Sequence, residues 1–267
     1  MNNRYKRYIL FTYLIFWVFI GMTGFVLMKI SDHSWVKALM VMLCSWTPTF
    51  VLLVMHRKLM PEKTRKDFFR GLFHAKINYR LLLSATGIQL AIFIIAVALV
   101  SHKQNISFIS LINTSAASWL IAFFVNLMQG ATGEEAGWRG YLQPIMEEKY
   151  GLYKGCMMIG IIQGFWHLPL WFTTGYTGRT LALYVGCFLL SIVSFAILSG
   201  VLYHTNRNAV LPIWLHFMFN LTVSGIYVGN IMDLFPLISI GYLIIGIALG
   251  IWYLAYNKTD IVTNKII

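Results

Sequence analysis

The fold is decided at Gly133-Glu134-Glu135-Ala136-Gly137-Trp138-Arg139-Gly140, where two acids and an arginine follow an almost wholly apolar run, Trp119–Met128. A carboxylate at membrane depth costs about 2.5–3.5 kcal/mol on insertion scales, and two adjacent carboxylates cost more. A membrane sequence tolerates such charges when they have partners or a chemical task. A helix that simply ends in water at the pair is the alternative. Two later histidines, His167 and His216, also interrupt apolar stretches, and they favour the hypothesis that the charges have a chemical task.

The composition is that of a membrane protein. Hydrophobic residues make up 58% of the chain and charged residues 11%, far from the balance of a soluble globular domain. The formal net charge of +12 would suit a nucleic acid partner, but the basic residues lie in short segments between apolar stretches. In that position they set membrane topology and contact anionic lipid. We therefore predict a lipid bilayer, and no nucleic acid, as the partner of this chain.

Eight apolar stretches are long enough, or nearly so, to cross a bilayer core, which takes about 20 residues. Strand-like alternation is absent, so the predicted fold class is all-α, a polytopic membrane protein of about eight transmembrane helices. No internal boundary divides the chain, which we predict to be a single integral-membrane domain, residues 1–267. The stretches are Tyr8–Met28, Trp35–Met55, Leu81–Val100, Ser118–Glu135, Cys156–Phe172, Leu181–Tyr203, Ala209–Val228 and Phe235–Tyr256.

The distribution of basic residues predicts the orientation. With the N-terminus in the cytoplasm, 17 of the 21 Lys and Arg residues fall in inner segments, a strong positive-inside signal that leaves both termini cytoplasmic. The longest hydrophilic segment, Arg57–Arg80, carries eight of them. Its apolar residues recur at helical spacing, so an amphipathic helix on the inner leaflet and a solvated loop are both compatible with it.

Prolines and glycines predict how the helices bend and pack. Pro48 should kink the second span, and Pro169 should bend the fifth beside His167. The fourth and fifth spans each carry two glycines four residues apart, a spacing that lets helices approach closely in lipid. We predict that these two spans pack on each other and bring Glu134 near His167. The glycine pairs are Gly133 with Gly137 and Gly160 with Gly164.

The polar residues that interrupt the apolar stretches are predicted to lie at the same depth in the membrane. Glu134 falls near the cytoplasmic end of the fourth span, while His167 and His216 lie about 11 and 7 residues into theirs, roughly 10–17 Å from the inner edge. Their neighbours follow helical spacing. Glu135 and Arg139 are four apart in the favourable order for an ion pair, and His216 and Asn220 project from one helix face.

Together these motifs resemble the CAAX protease and bacteriocin-processing family, intramembrane proteases related to the type II CAAX prenyl endopeptidases. The resemblance covers roughly residues 118–221, the predicted catalytic core, and it includes the surroundings of the first motif up to Pro144. The first three spans and the last one look generic. The three motifs are Glu134-Glu135-x-x-x-Arg139, His167 within Gly-Phe-Trp-His-Leu-Pro, and His216-x-x-x-Asn220.

The resemblance implies peptide hydrolysis by an activated water molecule. Glu134 would be the base, since a buried carboxylate can take a proton from water near neutral pH, and His167 would hold the same water. Attack on the peptide bond produces an oxyanion, which preorganised donors in a dry site stabilise by several kcal/mol. His216 and Asn220 would supply those donors.

Supporting roles are implied for three further residues. Glu135 would be oriented by Arg139, and it would titrate together with Glu134 as a coupled pair. The second motif of the family usually has an aromatic residue four positions before its histidine, where this chain has Gln163. A glutamine there need not abolish the chemistry and can hydrogen-bond to the site, so it bears on substrate preference more than on activity.

Three questions stay open from the sequence. Glu134, His167 and His216 could instead bind a divalent metal such as zinc, although His-Glu-x-x-His is absent and a glutamate–histidine water site requires no ion. The family resemblance includes proteins linked to bacteriocin self-immunity, so a non-catalytic immunity or regulatory protein is the second hypothesis. A proton-coupled transporter is the third, and the lack of a second acidic helix disfavours it.

The resemblance also predicts where the protein works and on what. The expected location is the bacterial cytoplasmic membrane, with the active site facing the cytoplasm. The expected substrates are membrane-associated peptides, or prenylated or otherwise lipidated proteins.

Overall fold

A computed structural model describes residues 3–29, 34–226, 229 and 231–263 of the chain. These residues are almost entirely helical, with an isolated β-bridge between Ile112 and Ile226, and the all-α fold class is confirmed. A 3₁₀ turn (Phe108–Leu111) and two π-helical segments (Leu127–Ala131 and Ala136–Leu142) join some of the helices. The α-helices of the described ranges are α1 Arg4–Lys29, α2 Ser34–Ser45, α3 Thr47–Leu59, α4 Arg65–Phe73, α5 Tyr79–Gln104, α6 Ala116–Asn126, α7 Thr132–Glu135, α8 Gln143–Tyr150, α9 Leu152–Trp166, α10 Leu168–Trp171, α11 Gly178–Asn206, α12 Val210–Ser224 and α13 Ile231–Thr263.

Helices long and apolar enough to cross a membrane make this an integral membrane protein. In the part of the chain that the structure describes, α1, α5, α11 and α13 meet this criterion, and α2 with α3 meets it as a bent pair. The predicted count of eight spans is not confirmed, because α6, α9 and α12 have only 11, 15 and 15 residues. The predicted end of the seventh span, Val228, lies outside the described residues.

Two prolines mark breaks between helices, as predicted. α2 and α3 meet at Trp46 with a 49° bend, and Pro48 lies in the first turn of α3. Pro169 lies in the first turn of α10, directly after α9 ends, so His167 occupies the break between them. In both places proline lacks the N–H that would continue the preceding helix.

The fourth predicted span is broken. α6 ends at Asn126, and the chain leaves helical geometry at Gln129 (φ −89°, ψ 148°) and Gly130 (φ 60°, ψ −79°) before α7 begins. Gly130 permits this turn because a positive φ carries little cost for a residue without Cβ. The prediction of one uninterrupted helix over Ser118–Glu135 was therefore wrong. Hydrophobic periodicity does not show where one glycine turns the backbone.

The first glycine pair packs against the N-terminal helices. A Cβ on Gly133 would lie 2.6 Å from Cδ1 of Trp46, and a Cβ on Gly137 would lie 2.8 Å from Cβ of Pro48. Both distances are far below ordinary van der Waals contact, so only glycine allows this approach. The first motif is thereby held against α3 and the α2–α3 bend.

The second glycine pair packs against α11. A Cβ on Gly160 would lie 2.6 Å from Cα of Val193, and one on Gly164 would lie 2.7 Å from Cδ2 of Leu189. The glycine faces therefore do not mediate the predicted contact between the fourth and fifth spans, because each face has a different partner. The acidic motif contacts α9 instead through the hydrogen bond from Gln163 to Glu134 and the ring contact of Trp138 with Trp166.

The basic segment contains a short docked helix. α4 begins after Thr64, whose Oγ1 accepts a hydrogen bond from the backbone N–H of Asp67 at 3.1 Å. Phe68 and Leu72 are buried, and both contact the position that a Cβ on Gly140 would occupy. Of the two predicted alternatives, a helix or a solvated loop, the helix is present at Arg65–Phe73. It packs on the segment that follows the acidic pair.

The acidic pair lies between two hydrophobic clusters. One cluster joins α1, α3, α4 and the acidic motif, and the other joins α5, α11, α12 and α13. The ring of His216 lies against Phe195 of the second cluster, with the ring centroids 5.6 Å apart. The polar side chains are thus enclosed on both sides by apolar ones. Prominent members of the clusters are Tyr8, Leu52, Trp138 and Trp166 in the first and Phe195, Leu215 and Tyr242 in the second.

Candidate active site

Both glutamates of the first motif are buried. Glu134 is 2% exposed and Glu135 is 0% exposed, although both lie on the four-residue helix α7. Consecutive residues on a helix are rotated by about 100°, so the two carboxylates face different neighbours. A buried carboxylate requires compensation by charge or by hydrogen bonds. Glu134 and Glu135 are compensated in different ways.

Glu135 lies between two cationic or potentially cationic side chains. Its Oε2 is 3.3 Å from Nε of Arg139, which is itself 0% exposed, and its Oε1 is 2.7 Å from Nδ1 of His216. The Arg139 Nε also donates a hydrogen bond to Oγ of Ser199 on α11 at 3.1 Å. The ion pair predicted from the spacing of Glu135 and Arg139 is present, and it extends to the third motif.

Glu134 has neutral partners. Its Oε2 accepts hydrogen bonds from Nε1 of Trp138 at 3.0 Å and from Nε2 of Gln163 at 2.9 Å. Trp138 is one helical turn away along the same segment, whereas Gln163 comes from α9. Both donors bind Oε2, and neither of them binds the other carboxylate oxygen, Oε1.

Three polar atoms converge beside Gly130, where the fourth predicted span breaks. A Cβ on Gly130 would lie 3.3 Å from Oε1 of Glu134, 3.3 Å from Nε2 of His216 and 3.2 Å from Nδ2 of Asn220. Gly130 has no Cβ, so its backbone forms one wall of a small polar niche at this point. One glutamate, one histidine and one asparagine from two motifs thus meet around one point.

His167 joins this group through α9. Its Nδ1 is 2.8 Å from the carbonyl oxygen of Gln163, and a carbonyl only accepts, so Nδ1 carries the proton. The ring lies edge-on against Trp166 and Phe188, with centroid distances of 4.5 and 5.3 Å. The Gln163 that fixes this ring through its carbonyl also binds Glu134 through its side chain.

The structure therefore connects all six predicted residues. Five of them lie in direct contact or around Gly130, namely Glu134, Glu135, Arg139, His216 and Asn220, and His167 is connected through Gln163.

Sequence reasoning missed other residues of the site. The position of Trp138, four residues after Glu134, gave a usable signal because such residues share a helix face. Gly130 and Ser199 carried no signal of that kind. Ser199 lies 60 residues after Arg139, and only the packing of α11 brings the two together.

The described residues do not form a metal site as they stand. No group of three or more His, Cys, Asp or Glu side chains in the described ranges is arranged to hold an ion. Oε2 of Glu134 and Nδ1 of His216 already have hydrogen-bond partners, whereas Oε1 of Glu134 and Nε2 of His216 lie beside Gly130. The alternative of a metal held by Glu134, His167 and His216 stays a prediction.

Comparisons with known proteins bear on the class of this chain. The family model described as Type II CAAX prenyl endopeptidase Rce1-like matches residues 116–222, a range that includes all six predicted catalytic residues. A protein of Methanococcus maripaludis named CAAX prenyl protease 2 is 28% identical over 229 residues, covering 81% of this chain and 82% of the relative. With its membrane-spanning helices and buried polar site, the chain is an intramembrane protease.

Both comparisons confirm the family resemblance that the motifs predicted, and they support a protease of the type II CAAX class.

Proposed function

We propose that this protein is an endopeptidase that hydrolyses peptide bonds of membrane-associated substrates with a water molecule activated by Glu134. The observation that carries the proposal is the meeting of Glu134 Oε1, His216 Nε2 and Asn220 Nδ2 around Gly130. Peptide hydrolysis needs a base and oxyanion donors about 3 Å from the reacting atoms. These three side-chain atoms supply that set.

Glu134 is the base because one of its oxygens is free for the reaction. Trp138 and Gln163 occupy Oε2, and Oε1 faces the niche at Gly130. Oε1 takes a proton from the attacking water, and the resulting hydroxide adds to the carbonyl carbon of the substrate. When the tetrahedral intermediate collapses, the same proton passes to the leaving nitrogen, so Glu134 returns to its starting state.

His167 holds the attacking water as a hydrogen-bond acceptor. The Gln163 carbonyl fixes the proton on Nδ1, so Nε2 of the neutral ring carries a lone pair. Such a nitrogen accepts a hydrogen bond from water and orients the water oxygen toward the substrate.

His216 and Asn220 stabilise the oxyanion. Nδ1 of His216 donates to the Glu135 carboxylate, so Nε2 is a donor when the ring is an imidazolium. The negative charge of Glu135 balances that imidazolium, and Arg139 holds Glu135 in place. Asn220 adds a neutral N–H donor through Nδ2. Each such donor typically contributes about 10²–10³ in kcat.

The substrates we propose are prenylated or otherwise lipidated proteins, or membrane-associated peptides. Support comes from the name of the relative, a CAAX prenyl protease, and from the apolar helices that surround the site. We further propose that the site faces the cytoplasmic side of a bacterial cytoplasmic membrane, because the topology predicted from the sequence puts most Lys and Arg residues on the side of the N-terminus.

A cleavage screen tests the proposal. Membranes containing the wild-type protein and Glu134→Gln are compared by mass spectrometry of membrane peptides, with Glu148→Gln as a matched control at an exposed glutamate. We expect cleavage products with the wild type and with Glu148→Gln, and none with folded Glu134→Gln. Equal products from Glu134→Gln would reject the proposal, and the same screen with prenylated and unprenylated forms of each substrate identifies the prenyl requirement.

A further inference from the structure

Gln163 is the residue at which this chain departs from the aromatic pattern of its second motif, and it contacts two parts of the site at once. It is 1% exposed, and its Nε2 donates to Oε2 of Glu134 at 2.9 Å. Its backbone carbonyl accepts the hydrogen bond from Nδ1 of His167 at 2.8 Å. One residue therefore links the proposed base to the proposed water-holding histidine.

The orientation of its amide follows from the chemistry. A carboxylate accepts hydrogen bonds and cannot donate them, so the NH₂ group of Gln163, and not its oxygen, faces Glu134. An aromatic side chain without a polar atom would leave this oxygen of Glu134 with one donor, that of Trp138. The departure from the pattern thus adds a hydrogen bond directly to the base.

The two donors decide which oxygen of Glu134 reacts. The last torsion of a glutamate side chain is broad, so an unrestrained carboxylate presents either oxygen over a range of angles. Trp138 and Gln163 approach Oε2 from different helices, and together they fix the plane of the group. Oε1 is then directed at the niche beside Gly130.

We infer that Gln163 is a positioning residue that holds Glu134 in its reactive orientation and sets its placement relative to His167. This inference rests on the proposed function, because it takes Glu134 as the base. It predicts an effect on the chemical step and not on substrate binding, since Gln163 acts through Glu134.

The test compares kcat and KM of purified variants in lipid nanodiscs on a substrate identified by the cleavage screen. Gln163→Met keeps the length of the side chain and removes the amide, and Gln163→Phe introduces the aromatic type of the common pattern. We expect both to lower kcat by about 10-fold to 100-fold, the usual effect of losing a hydrogen bond to a charged group, with KM changed less than about twofold.

Gln143→Met is the matched control. Gln143 is also buried, and its Nε2 also donates to a glutamate carboxylate, that of Glu147, and to the carbonyl of Gly200. It lies outside the niche, so we expect its removal to lower the melting temperature as much as Gln163→Met does while leaving kcat unchanged. An equal fall of kcat in both variants would show a general structural effect and overturn the inference.

Two further outcomes separate this inference from the proposed function. Wild-type kcat in Gln163→Met or in Gln163→Phe, together with an inactive Glu134→Gln, would overturn the positioning role and leave the proposed function intact. Full activity of Glu134→Gln would reject the proposed function itself. If Gln163→Met fails to fold, Gln163→Phe provides the measurement, because large apolar side chains already surround the neighbouring ring of His167.

Discussion

The α9 side and the α12 side of the site stabilise adjacent carboxylates by different means. On the α9 side, Glu134 is held by the neutral N–H groups of Trp138 and Gln163. On the α12 side, Glu135 faces His216 and the guanidinium of Arg139. Neutral donors orient a carboxylate without adding charge, whereas a cationic partner compensates its negative charge. Adjacent residues of the same type thereby acquire different surroundings.

The largest effect is expected when the charge of Glu135, on the α12 side of the site, is removed. Glu135→Gln removes the anion between Arg139 and His216 and leaves Arg139 buried without its partner. Breaking a buried ion pair in this way costs about 3–5 kcal/mol, which corresponds to a fall of roughly 10 °C in melting temperature. Thermal unfolding in detergent, followed by intrinsic tryptophan fluorescence, measures it. Glu134→Gln, whose hydrogen-bond donors Trp138 and Gln163 are neutral, should shift the melting temperature much less, and equal shifts would remove the distinction between the two sides.

The next effect concerns catalysis on the α12 side. Asn220→Ala removes a neutral donor from the niche at Gly130, and we expect kcat to fall about 10²-fold to 10³-fold with a small change in KM. Steady-state kinetics on an identified substrate measures it. Asn126→Ala is the control, since Asn126 donates to Ser224 and to the carbonyl of Ala122 outside the niche. Unchanged kcat in Asn220→Ala would show that Asn220 does not stabilise the oxyanion.

The smallest effect is expected at Ser199, the hydrogen-bond partner of Arg139. Ser199→Ala removes the hydroxyl that accepts from Nε of Arg139, and we expect a loss of about 1 kcal/mol in the free energy of unfolding with a minor loss of kcat. Ser191→Ala is the matched control on the same helix, because Ser191 is buried and binds Ser239 away from the site. A loss of kcat as large as that of Asn220→Ala would place Ser199 closer to the chemistry than its contacts indicate.

The site was largely predictable because its residues follow local rules. Glu135 and Arg139 form the ion pair that four-residue spacing favours, and the motifs that suggested the family are the ones that meet in the structure. A lone carboxylate or histidine in an apolar stretch is costly, so its position alone marks it for attention. These signals lie within short segments of sequence and can be recognised without knowledge of the fold.

The errors came from contacts between distant segments. The glycine pairs were correctly expected at close helix contacts, yet their partners proved to be Trp46 and Pro48 for the first pair and α11 for the second. The break at Gly130 was missed, because one glycine inside an apolar helix has the same local pattern whether the helix continues or turns. Only the structure shows that the break lies beside His216 and Asn220 of α12.

By itself, the sequence determined the membrane class and the helical fold and singled out the candidate site residues, because burial in lipid penalises polar side chains that have no partner. The tertiary structure alone decided which oxygen of Glu134 faces the niche, that His216 joins Arg139 beside Glu135, and that Gln163 hydrogen-bonds to Glu134. Those choices depend on the relative placement of helices that are far apart along the chain. Hydrogen-bond geometry is sensitive to shifts of a fraction of an ångström, which no spacing of residues specifies.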